Sequence, residues 1–330
     1  LTGVKRRVPP ALVLFLLSPA IGELLSGSSP PREFFAPFGF TIMALLYGGG
    51  ALTARELKVR WRKGMGSLLL LGAAYGVVEE GLMVASFLNP GWPDLGVLGL
   101  FGRWLGVNWV WAVELTAYHS IVSITVPVML VELAYPERRA DTWLRGRWLK
   151  IVPSLLALDV IFGFFLFSAF TGFRPPVPQY AFMGLLAAAF TLMARRLPRD
   201  WARRGTKPMR GPRFFWLVAF LGALTCGAIF WVLPNSLTFF GAPVLVMLLG
   251  ALTVLSVIYF IRDYAWKTAT PLHRFAIAAG TLTPFILFAF IQELDQSRRD
   301  DTTGMALVGL MAIIGLASLR RSLKKREADR

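Results

Sequence analysis

Two adjacent carboxylates, Glu79 and Glu80, interrupt the apolar stretch GAAYGVVEEGLMVASF, and one histidine, His119, follows about forty residues later in ELTAYHSIVSIT. A carboxylate that can take a proton from water is a general base, and an imidazole beside it can donate to a developing negative charge. Asp159, in LLALDVIFG, places a third acid in similar surroundings. These four are the candidate catalytic residues. Glu23, Asn108, Glu114 and Tyr118 lie on the same or neighbouring apolar runs and are the candidate substrate-binding residues. With 2 histidines and the single Cys226, the chain can form neither an intrachain disulfide nor a cysteine-ligated cluster, and it has no glycine-rich phosphate loop. No metal and no cofactor is expected.

Spacing sets how these groups face one another. Gly72, Gly76 and Glu80 recur at four-residue steps, so on a helix they share a face along which a neighbour can approach closely. Glu80 is expected to point into the bundle, with Glu79 about 100° round, on the face of Tyr75 and Met83. Both would sit about 15 Å from the outer end of their helix, where two adjacent carboxylates would not both stay ionised without a cation. The next apolar run carries two polar stripes, Asn108, Ala112, Thr116, His119 and Ser123, and Glu114, Tyr118, Ile121, Thr125 and Glu132. Antiparallel packing would bring His119 to the depth of the glutamates. Glu132, near the inner boundary, is expected to snorkel, Glu56 and Arg60 to form a solvated one-turn pair, and His273 to face solvent beside Arg274.

The elements that must hold these residues are membrane helices. Hydrophobic residues make up 55% of the 330 and charged residues only 16%, too few to wet the surface of a soluble core. Ten apolar runs are long enough, or nearly so, to cross a bilayer: 9–26, 36–54, 65–88, 107–134, 151–170, 179–194, 214–233, 241–261, 275–292 and 304–319. The first, preceded by Lys5, Arg6 and Arg7, reads as mature sequence rather than a signal peptide, because Pro19 and Glu23 interrupt it. Segment 89–106 is apolar and glycine-rich yet too short to cross, so it is read as an interfacial or re-entrant cover.

Charge placement gives the topology. With the amino terminus inside, thirty of the 35 basic residues fall on the inner side, and only Arg32, Arg103, Arg174, Arg298 and Arg299 fall outside. This bias predicts an all-α, polytopic membrane helix bundle in the cell membrane with about ten transmembrane helices and both termini cytoplasmic. The net charge of +16 is then topological, with anionic headgroups at the cytoplasmic face of the lipid bilayer as partners and no role for nucleic acid. Residues 1–194 hold six helices and the ionisable cluster, 195–213 form a basic cytoplasmic loop, and 214–330 hold four helices and a basic tail. The two halves show no matching repeat.

YGVVEEGLMV, followed by LTAYH, resembles the CAAX-protease and bacteriocin-processing family of intramembrane proteases, and at the same level the PrsW-type proteases and APH-1-like proteins. That resemblance implies a glutamate-activated water, with Glu79 as base, Glu80 as its companion and His119 as the histidine of the second motif. Val84 stands where the family pattern has arginine, Leu115 where it has phenylalanine, and Asp159 and Gly163 where it has a later histidine and asparagine.

Three functions fit these residues. One is an intramembrane glutamate-dependent hydrolase acting on a lipidated peptide, lipid or membrane segment. The second is a proton- or cation-coupled transporter of a small or amphipathic solute. The third is a non-catalytic scaffold in which the buried groups fix helix registry.

Overall fold

The computed structural model describes residues 8–235, 242–295, 298 and 300–329. Lys5, Arg6, Arg7, Arg299 and Arg330, which enter the charge bias above, lie outside the described residues. Among the described residues the chain is a bundle of ten apolar helices: α1 (Pro10–Leu24), α2 (Pro37–Arg60), α3 (Met65–Met83), α4 (Trp109–Ala134), α5 (Trp148–Thr171), α6 (Val177–Arg196), α7 (Pro212–Val232), α8 (Pro243–Arg262), α9 (Pro271–Leu294) and α10 (Met305–Ala328). All but the shorter α1 are long and apolar enough to cross a membrane. The short run at 179–194 gains length at both ends and becomes a 20-residue helix. Proline opens α1, α2, α7, α8 and α9, where its missing N–H costs nothing.

The centre of the bundle is α3 and α4, whose apolar windows are 67% and 78% buried; α5, α8 and α10 are 11% buried and face outward. The small-residue stripe produces this centre. Gly72 lies against the Ser120 backbone and Gly76 against the His119 side chain, so a Cβ at either position would collide with α4. On one side of the pair α1 packs on α2 and α4, and α5 and α6 pack on α3; on the other, α9 meets α4 and joins α7 and α10. The late helices also fasten both ends of the early ones. Gln292 of α9 donates to the Ser26 carbonyl at 2.9 Å, and Arg326 of α10 donates to the carbonyls of Leu133 and Ala134, where α4 ends.

Segment 89–106 is a folded cover. It contains a 3₁₀ stretch, Pro93–Gly99, and the start of a small hairpin of β1 (Arg103–Trp104) and β2 (Val107–Asn108), with Leu95, Leu98 and Phe101 buried and Leu100, Trp104 and Leu105 exposed. Arg103 ties it together by donating to the carbonyls of Leu88, Gly99 and Gly106.

At the basic face the expected solvated charges are buried. Glu132 is 4% exposed, accepting from Lys58 and Arg139 and lying 3.6 Å from Arg55, so it does not snorkel. Glu56 is also buried; it pairs with Arg55 and Arg60 and accepts from the Trp143 and Leu144 amides. Arg55 lies under the Trp143 ring and donates to the carbonyls of Arg138, Arg139 and Asp141, so this network holds the loop between α4 and α5 in place. His273 is buried as well. It closes a capping box with Thr270 and lies 2.9 Å from the Arg210 carbonyl, which accounts for it without solvent. The i,i+4 spacing of Glu56 and Arg60 could not show that a later loop covers the pair.

Candidate functional site

Four wide turns carry the polar residues of the centre. Each is π-helical: Ala20–Leu24 holds Glu23, Ala44–Gly48 holds Tyr47, Val78–Met83 holds Glu79 and Glu80, and His119–Thr125 holds His119 and Ser123. Single π turns are rare inside α-helices and concentrate at functional sites, because the extra residue re-aims side chains and frees backbone groups. A fifth, Ala228–Val232, holds Trp231, whose side chain hydrogen-bonds Glu114.

The imidazole of His119 is held between the two glutamates. Its Nδ1 lies 3.2 Å from Glu79 Oε2 and 3.1 Å from Ser123 Oγ, and its Nε2 lies 3.1 Å from Glu80 Oε1. The Ser86 hydroxyl donates to the other Glu80 oxygen, and Trp111 Nε1 donates to Ser86 Oγ at 3.0 Å, which fixes the carboxylate plane. Tyr47 donates to Glu23 Oε1 and Ser29 to its Oε2. The Tyr75 hydroxyl lies beside Glu79 without completing a hydrogen bond. Three carboxylates are thus drawn around one imidazole, with the hydroxyls of Tyr47, Ser29 and Ser86 turned toward them. Glu79 is the more enclosed of the pair; the Glu80 side chain is 12% exposed.

Two expectations about the pair change. Glu79 and Glu80 do not divide between two faces, because the π turn brings both onto His119. Nor are they ten residues from the end of their helix: α3 stops at Met83, and the cover begins there. Counted from the basic face, Glu79 is about 22 Å along α3 and His119 about 22 Å along α4. The two helices therefore deliver their residues at matching height.

The other candidates separate. Tyr118 donates to the Gly22 carbonyl at 2.6 Å and faces the central cavity. Glu114 is buried, lines the same cavity and has one oxygen, Oε2, without a hydrogen-bond partner. Glu23 joins the cluster through Tyr47. Asn108 is instead a structural cap: its side chain accepts from the Trp111 amide and donates to the Leu98 carbonyl, and it is buried and not among the residues that line the cavity. Asp159 is buried on α5 with Oδ2 unpartnered, and no described contact joins it to the cluster. Tyr47, Ser86 and Trp111 are members that spacing did not single out, whereas Tyr75 lies beside Glu79 as their shared helix face predicts. Ser86 falls six residues after Glu80, outside any helical repeat, and only the end of α3 folds it back.

Glu79, Glu80 and His119 each present one donor atom within 4.8 Å of the others. A divalent ion with bonds of about 2.0–2.2 Å would draw those atoms closer and would engage one imidazole nitrogen. Here the two ring nitrogens face different carboxylates, a geometry that suits proton sharing better than chelation.

The cluster lines a cavity of about 1940 Å³ that runs along the bundle. One end is bounded by Ser28, Asp94 and Arg298, the other by Arg62, Arg199 and Arg274. Burial raises the Asp94 carboxyl above its ordinary value, opposed by the Trp92 indole that donates to it.

A family model described as an uncharacterized membrane protein family matches residues 12–323. The chain belongs to that family. No curated protein and no solved structure matches it. The region matched to the uncharacterized membrane protein family reaches from α1 into α10, so the family is defined over the whole helical bundle and includes every residue of the cluster.

Proposed function

We propose that this protein is a membrane-embedded, glutamate-dependent hydrolase that cleaves an acyl bond in a membrane-borne substrate. The observation that carries this reading is the Glu79–His119–Glu80 constellation, held at about 3.1–3.2 Å on π turns and lining a cavity wide enough for an amphiphile. Glu80 is the base: its carboxylate is oriented by Ser86 and Trp111, and it is the more open of the two to the cavity. It takes a proton from water as the oxygen attacks the acyl carbon, and it returns that proton to the leaving amine or alkoxide when the bond breaks. In the resting site the His119 Nε2 faces Glu80; as Glu80 takes the proton and loses its charge, the Nε2–H passes to the oxyanion, and Glu79 stabilises the charge on the ring. The similarity to the CAAX-protease family, with Glu79 and Glu80 at the paired-glutamate motif, supports the same chemistry, although the resemblance makes Glu79 the base. The greater exposure of Glu80 favours the second glutamate.

Hydrolysis in ¹⁸O-water tests the proposal. Purified protein, incubated with membrane extract, should place ¹⁸O in new product carboxylates found by mass spectrometry, and Glu80→Gln should abolish them. Label that is absent with the wild type, or undiminished in Glu80→Gln, overturns it.

A second reading, proton-coupled transport, is favoured by one observation: polar and charged residues bound the cavity at both ends. It requires solute flux in proteoliposomes that follows a pH gradient and is lost in Glu80→Gln. A scaffold needs a sealed, dry cluster, and the cavity beside the carboxylates weighs against it.

A further inference from the structure

The basic end of the cavity has features that the reaction does not use. Three arginines bound it, Arg62 after α2, Arg199 in the loop after α6 and Arg274 in the first turn of α9. They belong to one mouth: Gly64 lies against the Arg199 carbonyl, and the adjoining Met65 packs in the apolar cluster that holds Phe275. Neighbouring cations are already engaged, Lys58 and Arg139 by Glu132, Lys63 by the Leu197 carbonyl and Arg262 by the Trp201 carbonyl and ring. Arg62, Arg199 and Arg274 make no ion pair and no side-chain hydrogen bond among the described residues. Asp200, an acid at the same mouth, is paired with Arg204.

Beyond this mouth the wall is apolar, formed by Val254, Val257, Ile258, Ile277, Phe285 and Phe288, and it continues to the carboxylate cluster. The cavity exceeds the ~300–1,000 Å³ of ordinary small-molecule sites. Unpartnered guanidinium groups at one end of a long apolar chamber match one kind of molecule, an amphiphile with an anionic head and hydrocarbon tails. Arginine suits phosphate, which it can hold in bidentate fashion.

We propose that the cavity is a binding site for an anionic glycerophospholipid, its phosphate held by Arg62, Arg199 and Arg274 and its acyl chains laid along the apolar wall toward Glu80. The distance from mouth to cluster, about 22 Å along α3, exceeds the ~15 Å of one leaflet's hydrocarbon. The lipid's own ester bonds, next to the phosphate, therefore stay away from the carboxylates. It acts as a ligand that fills the basic part of the chamber and leaves the cluster free for a second molecule. This site goes beyond the hydrolase reading and does not depend on it.

Native mass spectrometry of the full chain, with phosphatidylglycerol and phosphatidylcholine of identical acyl chains offered together, tests it. The wild type should retain phosphatidylglycerol at least tenfold over phosphatidylcholine. Replacing Arg62, Arg199 and Arg274 together by Gln should remove the preference, while Arg320→Gln with Arg321→Gln, basic residues of α10 that do not line the cavity, should keep it. No preference in the wild type, retention by the triple variant, or an equal loss in the α10 variant overturns the proposal, the last because it would mark bulk surface charge. Should the triple variant fail to fold, phosphatidylglycerol carrying a photoreactive group at the end of its chain decides the matter. Crosslinks at Phe285 or Ile258 support the site, and crosslinks confined to the outward-facing Leu158 and Ile161 overturn it. Glu80→Gln should bind the lipid as the wild type does, so failure of the lipid site and failure of the hydrolase can be told apart.

Discussion

Glu80 and Glu79 have the same side chain one residue apart, yet their surroundings give them different work. Glu80→Gln keeps the shape and the contact with Ser86 but loses the base, so turnover should fall by about 10²–10⁴-fold, the usual contribution of general-base catalysis. Ser86→Ala removes a hydrogen bond to a charged group, worth about 1.5–3 kcal/mol, and should cost roughly tenfold or more in rate without moving the thermal midpoint greatly; rate measurement with a parallel melt separates the two. Asp94 gives a pH signature. Its carboxyl value is raised in the folded protein, so the folded state binds the proton more tightly than the unfolded one. That contribution is full below the unfolded value of about 3.9 and is lost as pH rises through the folded one. Asp94→Asn, which keeps an acceptor for Trp92, should therefore melt higher than the wild type at pH 7.5 and lose part of the pH slope. A lower melt at that pH with the slope intact would contradict this. At this scale the sequence was readable for the acids and the imidazole, which stand out in apolar runs. It was not readable for Ser86 or Tyr47, whose roles depend on where a chain reversal or another helix delivers them.

Helices with a 3.6-residue repeat were legible from hydropathy, and so was the glycine stripe that brings α3 against α4. The π turns were not. An extra residue in a turn changes which side chains share a face without changing composition, so reading Val78–Met83 as regular helix put Glu79 beside Tyr75, where it lies, but parted it from Glu80, with which it meets His119. Deleting Val78 should return that turn to α-helical register and rotate the glutamates off His119. The expected outcome is unchanged helicity by circular dichroism with activity reduced to the level of Glu80→Gln; retained activity would show that the wide turn is dispensable. The Glu132 network behaves differently. Glu132→Gln leaves Lys58 buried without its counter-charge and weakens the hold on Arg55 and Arg139, which by analogy with other broken buried pairs costs about 3–5 kcal/mol. A large fall in thermal midpoint, with the lipid preference preserved, is the expected result. Spacing could not reveal this because Arg55 and Lys58 lie on α2, more than seventy residues before Glu132 in sequence.

For the molecule as a whole, the bias of thirty basic residues to five marked one face of the bundle as basic from sequence alone and gives an expected orientation. The cavity was invisible at that level, since the apolar residues that line it read the same as those that face lipid. The inward orientation of the basic face is an expectation with a simple check. In a Cys226→Ser background, a single cysteine at Lys324 should react with a membrane-impermeant maleimide only after the membrane is opened, and labelling of intact cells would reverse the topology.

The fastening of the early helices by the late ones also sets an order of events during synthesis. All the residues of the carboxylate cluster have been synthesised once residue 123 is added, but the ties from Gln292 and Arg326 arrive only when the last two helices do. For most of translation the nascent chain holds an acidic centre in the bilayer before α9 and α10 have closed around it. A protein truncated before α9 should be recognised as unfinished and degraded, and a membrane chaperone bound to such intermediates would be expected to contact α4.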